Sequence, residues 1–314
     1  MQNAIHRRQF LKSSLGSLAG LALLPAAAPA LEPFSRSGAA RLLLSLAAYS
    51  FRQFFQDSSR PGKTPAPARQ LDLFQFIDYC ADHGCDGTEL TSYYFPKEVT
   101  PDLLIRLRRH AFLRGVAISG TAVGNTFTLP PGPKRDEQIA LVKRWVDHAS
   151  VLGAPHIRIF AGSAAKDMAK SEAQKLCLAA MEECADYAGQ KGIFLGLENH
   201  GGIVTAPDDL LDLIRQARSP WLGINLDTGN FHTDDPYADL ARCAPYAVNV
   251  QIKTELARRG QKAEPSDLER LVKILREVRY QGFVALEYEA AEDPWKAVPV
   301  WLKRMKEAFA GKSP

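Results

Sequence analysis

Four polar residues share a context in this 314-residue chain. Glu198 closes the run Gly196-Leu197-Glu198, Asp227 closes Asn225-Leu226-Asp227, Gln251 stands in Val250-Gln251-Ile252, and Glu287 closes Ala285-Leu286-Glu287. They are separated by 29, 24 and 36 residues, each about one strand–helix unit. Three carboxylates brought to one point repel, and they do not all stay ionised without a cation. A single divalent metal ion meets that need. With Gln251 binding through its amide oxygen the donor set is all oxygen, which favours Mn²⁺ or Mg²⁺ over Co²⁺ or Zn²⁺. One such acid alone would as readily cap a helix or pair with an arginine. Four at matching positions argue for a shared metal.

The elements that must position these residues alternate along the chain. Strands are expected at Leu42–Phe51, Asp86–Thr91, Val116–Ala122, His156–Phe160, Ile193–Glu198, Leu222–Asp227, Ala247–Lys253 and Phe283–Glu289. Helical periodicity fills the intervals, with apolar residues three and four apart, as at Leu271, Ile274, Leu275 and Val278. Glycines 84, 115, 153, 192 and 282 stand between a helix and the next strand, where a left-handed C-cap favours them. Ser171 and Ser266 are placed as helix N-caps. Eight strand–helix units pair their strands in parallel and close into a (β/α)₈ TIM barrel over residues 41–311, a single α/β domain. An open doubly wound sheet would need a glycine-rich turn after the first strand, and none is there. The stretch from Gln56 to Arg69, rich in Ser, Pro and Gly, reads as an insertion over the barrel mouth.

In this fold the chemistry sits at the C-terminal ends of the strands. Besides the quartet, Glu89 ends strand two, Arg158 lies in strand four and Lys253 ends strand seven. Glu89 and Arg158 are expected to bind substrate hydroxyls or to support the ligands from behind; a mouth ion pair of Arg158 with Glu198 or Glu89 is an equal alternative. Lys253 is expected to stabilise an oxyanion or to form a salt bridge with Asp227 or Glu255. His232, on the loop after strand six, is a substrate contact or plain surface. Tyr49, with Arg52 and the aromatic trio Tyr93, Tyr94 and Phe95, would wall one face of a sugar or simply pack.

The barrel with Leu197-Glu198-Asn199-His200-Gly201-Gly202, Leu226-Asp227-Thr228-Gly229-Asn230 and a lysine-ended seventh strand resembles the xylose-isomerase-like sugar isomerase and epimerase superfamily. The resemblance covers nearly all of the chain after the leader. It implies a divalent metal held from strands five to eight by Glu198, Asp227, residue 251 and Glu287, with Glu198 and Glu287 also moving protons. It also turns His200 toward substrate. Two departures stand out. The seventh strand reads Asn249-x-Gln251-x-Lys253 where the family pattern is His-x-His-x-Lys, and Asn230 stands where related sugar 3-epimerases carry histidine. Asn230 is nonetheless assigned to substrate.

The implied reaction is isomerisation or epimerisation of a sugar or sugar derivative through proton transfer next to a carbonyl, by way of an enediolate. A lyase or hydratase acting on an oxidised 3-keto glycoside is the main alternative. An endonuclease-like phosphodiesterase, which uses a histidine-rich zinc site, fits seven histidines poorly, and a non-catalytic sugar-binding barrel comes last.

Residues 1–30 carry Arg7-Arg8-Gln9-Phe10-Leu11-Lys12, a short apolar run and Ala26-Ala27-Ala28-Pro29-Ala30, a pattern that matches a twin-arginine export signal. Export to the periplasm or beyond is expected, with residues 31–40 as a flexible linker and no stable membrane anchor. The net charge is +4, and six positive charges fall at Arg7, Arg8, Lys12, Arg36, Arg41 and Arg52, so the barrel itself is near neutral and nucleic acid is not an expected partner. Homo-oligomerisation is compatible with the sequence. Cys177 and Cys184 lie seven apart on a helix, about 10 Å, too far for a disulfide. Cys80 and Cys85 flank a helix end, and the five thiols together read as buried and free.

Overall fold

The structure is a computed structural model that describes residues 31–55 and 70–311. The export signal and the Gln56–Arg69 insertion lie outside the described residues. Eight parallel strands close into a barrel: β1 (Arg41–Ala47), β2 (Gly87–Thr91), β3 (Ala117–Ala122), β4 (His156–Ile159), β5 (Phe194–Glu198), β6 (Leu222–Asp227), β7 (Ala247–Ile252) and β8 (Gln281–Leu286). Sequential strands are neighbours throughout, and β8 pairs back onto β1 from Arg41–Gln281 to Leu46–Leu286. Each strand is followed by a helix: α1 (Leu73–Asp82), α2 (Pro101–Leu113), α3 (Pro133–Leu152), α4 (Lys170–Gln190), α5 (Pro207–Gln216), α6 (Pro236–Cys243), α7 (Leu268–Glu277) and α8 (Pro294–Phe309). A two-residue ribbon, Glu255–Leu256 against Glu264–Pro265, decorates the loop after β7.

The strands are buried on both faces, as a parallel sheet under a shell of helices must be. Their alternation divides two environments. Leu195, Leu197, Ile224, Leu226, Val250, Ile252, Val284 and Leu286 belong to the apolar layer shared with the helices. The intervening residues face the axis, and many are polar: Ser45, Glu89, Ser119, His156, Arg158, Asn225, Asn249 and Gln251 are all buried. Hydrogen bonds that skip strands, such as Ser45–Ser119 at 2.8 Å between β1 and β3, show that these side chains fill the barrel interior. Most of the apolar burial that drives folding therefore lies outside the sheet, and the axis is held by polar pairing.

Local signals set the helix ends. Five helices start on proline (α2, α3, α5, α6 and α8), whose fixed φ and missing N–H suit the first turn. Asp72 and Gln75 form a reciprocal capping box on α1. Neither expected serine is a cap. Ser171 lies within α4, which starts at Lys170, and Asp267 caps α7 while Ser266 Oγ donates to Lys253 O at 2.7 Å. Gly153 takes the left-handed conformation after α3, with φ of 82°. The expectation fails at Gly282, which lies inside β8; the positive φ before that strand belongs to Arg279 at 52°. Strand one is also shorter than expected, because Ala48–Phe51 tighten into a 3₁₀ turn that carries Tyr49.

Residues 31–40 run along the N-terminal side of the barrel. Leu31 N donates to Ala217 O and Phe34 N to Pro245 O, each at 3.0 Å, and Arg36 Nη2 reaches Ala247 O. All five cysteines are free and buried. Among the described residues no helix is long and apolar enough to cross a membrane.

Candidate active site at the barrel mouth

The acids expected to converge do sit at strand ends. Glu198 ends β5, Asp227 ends β6, and Glu287 follows β8 by one residue. All three are nearly inaccessible. Glu198 is gripped from three sides. Arg158 Nε lies 2.9 Å from Oε2, His200 Nδ1 lies 2.8 Å from Oε1, and Asn230 Nδ2 donates to Oε1 at 3.0 Å. The Nε–H of Arg158 is not aimed for a hydrogen bond, so this contact is chiefly electrostatic. Arg158 is itself fixed, donating from Nη1 to Val123 O at 2.7 Å and lying over the Phe160 ring at 3.8 Å. Burial works against the Glu198 charge, but Arg158 and the His200 hydrogen bond outweigh it and hold the carboxyl below its ordinary range. Of the two roles expected for Arg158, the ion pair with Glu198 is the one observed.

Lys253, one residue past β7, occupies the other half of the mouth. Its Nζ lies 2.7 Å from Glu287 Oε2 and 3.4 Å from Asp227 Oδ2, and it makes a shorter contact to Glu289 Oε2. Of the salt bridges expected for Lys253, the one to Asp227 forms and the one to Glu255 does not; Glu255 lies in the ribbon instead. Burial opposes the Lys253 charge, but Asp227, Glu287 and Glu289 together keep it firmly protonated. Its backbone is pinned through Lys253 N to Thr228 Oγ1 at 2.9 Å and Ser266 Oγ to Lys253 O.

Gln251 was expected to aim its amide oxygen at a metal. That oxygen instead accepts from Asn225 Nδ2 at 2.6 Å, while Gln251 Nε2 donates to Glu89 Oε1 at 2.7 Å. Asn249 Nδ2 completes the ring, donating to Glu89 Oε2 at 3.0 Å and to Asn225 Oδ1 at 2.8 Å. The ring crosses the barrel from β7 to β2. It places Glu89 beneath the mouth with each oxygen hydrogen-bonded to a side chain of β7. Burial, then the nearby Glu287 charge, raises the Glu89 carboxyl to about 8. His156, buried in the same interior, is lowered by burial to about 4 and stays neutral.

The remaining expected contacts line the opening. His200 rests on Phe160, with ring centroids 4.5 Å apart, and shares Glu198 with Asn230. His232 and Asn230 border a cavity of about 250 Å³ together with Lys253, Glu289, Leu256 and Ala290. Tyr49 lies near Glu289 and Glu287, with the Arg52 guanidinium 5.2 Å from its ring centre. Tyr94 and Phe95 are buried and pack. Glu289, Asn225 and Asn249 were given no site role from the sequence, although each stands two residues from a chosen residue.

Whether these residues suit a divalent ion can be judged from their chemistry. Asp227 Oδ2 is buried and has no hydrogen-bond partner, only the Lys253 ammonium at 3.4 Å. Burial pushes the Asp227 carboxyl well above the usual carboxylate range, reinforced by Glu198 and Glu287 and opposed by Lys253. With Glu198, Asp227, Glu287 and Glu289 ionised, Arg158 and Lys253 leave a formal deficit of two positive charges. The hard-oxygen donor set and its charge fit a divalent ion. The side chains are not already gathered: among the described residues no three His, Cys, Asp or Glu side chains form a ready ligand group, and Lys253 lies among the acids.

Comparison with known proteins agrees with this architecture. The chain matches the family model described as xylose isomerase-like TIM barrel over residues 77–305, and it belongs to that family. No curated protein sequence matches it. Among solved structures it is similar to the IolI protein with a bound zinc atom (TM-score 0.67, 16% identity, covering 86% of this chain and 97% of the other). It is also similar to a D-psicose 3-epimerase (0.64, 14%, 86% and 97%) and to the E. coli 3-keto-D-glucoside 4-epimerase (0.62, 15%, 84% and 100%). At these identities the likeness speaks for the fold.

Proposed function

We propose that this chain is a carbohydrate isomerase or epimerase that moves a proton next to a carbonyl with the help of one divalent ion, Mn²⁺ or Mg²⁺ by preference. The observation that carries the reading is the pair of buried strand-end carboxylates, Glu198 and Glu287, set on either side of Asp227 and each beside its own cation. Glu198, Asp227 and Glu287 would hold the ion, with Gln251 as fourth donor through the second lone pair of its oxygen. The ion would supply Lewis acidity, polarising the substrate carbonyl and the adjacent hydroxyl.

Arg158, His200 and Asn230 orient the Glu198 carboxylate and keep it ionised, ready to accept the proton from carbon. Glu287, once it has taken up a proton from solvent, would give it to the neighbouring carbon in isomerisation or to the opposite face of the same carbon in epimerisation, and Glu198 would release its own proton to solvent. Lys253, which lines the adjoining cavity together with Glu289, would steady the negative charge that develops on the substrate oxygen. Two structural neighbours are named for 3-epimerisation of a ketose and 4-epimerisation of a 3-keto glucoside, which supports a carbohydrate substrate. The cavity beside Lys253 offers room beyond one sugar ring, which favours as second reading an oxidised 3-keto glycoside undergoing elimination or hydration. Export by the twin-arginine route would place the substrate among extracytoplasmic carbohydrates.

The test is solvent-deuterium incorporation, followed by NMR, for Mn²⁺-loaded protein against free ketoses, aldoses and 3-keto glucosides. Uptake without cleavage supports isomerisation or epimerisation, and release of an aglycone supports the second reading. Glu287→Gln should lower uptake by about 10²–10⁴-fold, the usual worth of one acid–base group. Full uptake by that variant would sink the two-carboxylate scheme.

A further inference from the structure

We infer that Lys253 is a built-in competitor for the divalent ion, and that Glu289 is the resting place its ammonium moves to when the ion enters. The inference rests on the metal reading above. Its starting point is that one ammonium is shared among three carboxylates of unequal kind. Asp227 and Glu287, both almost wholly buried, belong to the expected ligand set. Glu289 does not, and its side chain is 38% exposed at the edge of the cavity lined by Asn230 and His232. Any second cation drawn by Asp227 and Glu287 meets the Lys253 charge at contact range, so the two compete for the same oxygens.

The surroundings let the side chain pivot while the backbone stays fixed. Thr228 and Ser266 hold the Lys253 N–H and carbonyl, leaving only the four-carbon stem free to rotate. The stem crosses Gly229 so closely that a Cβ there would lie 2.6 Å from Lys253 Cγ and 2.8 Å from its Cβ. A side chain at 229 would force the lysine out of this path. Glu289 carries the ammonium on the solvent side of the same stem, so moving from Asp227 and Glu287 onto Glu289 alone needs a change of torsion and no change of fold. In the metal-free protein the lysine covers part of the charge deficit; in the loaded protein it stands aside over the cavity.

Mn²⁺ binding measured by calorimetry and by electron paramagnetic resonance of free Mn²⁺ tests this on the full chain, with no activity needed. Lys253→Met should bind Mn²⁺ at least tenfold tighter than the wild type, and Mn²⁺ should raise its melting temperature more. Glu289→Gln should bind several-fold more weakly, because the displaced ammonium loses its alternative partner. Equal or weaker binding by Lys253→Met, with the wild type binding normally, overturns the competition and leaves the metal reading intact. If neither the wild type nor Lys253→Met binds Mn²⁺, the metal reading fails and this inference with it. Should Lys253→Met not fold, Glu289→Gln decides alone: affinity equal to the wild type refutes the role of Glu289.

Discussion

Replacing Arg158 by methionine removes the one fixed cation beside Glu198 while keeping most of the stem that packs on Phe160. Both partners of this pair are almost fully buried, with side chains 6% and 4% exposed. Breaking a buried pair from one side leaves an uncompensated charge and costs about 3–5 kcal/mol. His200 and Asn230 still reach Glu198 Oε1, so the lower end of that range is expected. The loss should depend on pH with a definite sign. In the wild type the Glu198 carboxyl is held below its ordinary value, so its pairing stabilises the fold above the carboxylate range and is lost as pH falls through the folded value. In the variant, burial is no longer opposed by Arg158 and the folded pKa rises. The penalty then grows as pH climbs above the ordinary carboxylate range, and it shrinks where the variant's Glu198 is protonated. Urea midpoints of chelator-treated protein at pH 5 and pH 8 measure this directly. The double variant Arg158→Met with Glu198→Gln removes both charges and should recover much of the loss. A destabilisation below about 1 kcal/mol, or one equal at both pH values, would refute the claim that Arg158 neutralises Glu198.

Two further outcomes follow from the interior. Glu89→Gln removes a buried carboxyl that burial raises to about 8, so the wild type alone loses stability as pH climbs from the ordinary carboxylate range toward 8. In chemical denaturation the variant should lie close to the wild type near pH 5 and become the more stable of the two at pH 8; a difference that does not grow between those values would show that this carboxyl is not buried as described. The cysteines should be silent in the native state, since burial raises Cys177, Cys184 and Cys243 to about 12 and leaves little thiolate. A disulfide-exchange reagent should count five thiols after denaturation and almost none before; rapid stoichiometric labelling of the native protein contradicts this burial.

Much of the frame was legible because β5, β6 and β8 each run from apolar residues into an acid at the mouth. Apolar alternation followed by a polar residue located Glu198, Asp227 and Glu287, and the strand β6 was read to the residue. Helix starts were harder. Pro133 and Pro294 open α3 and α8, and the serines chosen as caps were passed over for Asp267 and a backbone start at α4. What the chain did not reveal is which partner each polar side chain takes. Period-two spacing puts Asn225, Asn249 and Gln251 on the inner face, but only the closed barrel shows that Asn249 and Gln251 meet Glu89 from three strands away while Asn225 links the two of them. The share of Lys253 between Glu287 and Glu289 is likewise a matter of side-chain torsion, to which strand spacing is blind.

The strap formed by residues 31–40 has a practical meaning for orientation. Its hydrogen bonds to Ala217, Pro245 and Ala247 hold it against the side of the barrel where the strands begin. A support, bead or fusion partner joined ahead of Leu31 is thereby directed away from the opening. Molecules immobilised through that side would all turn the barrel mouth and the cavity beside Lys253 to the solution.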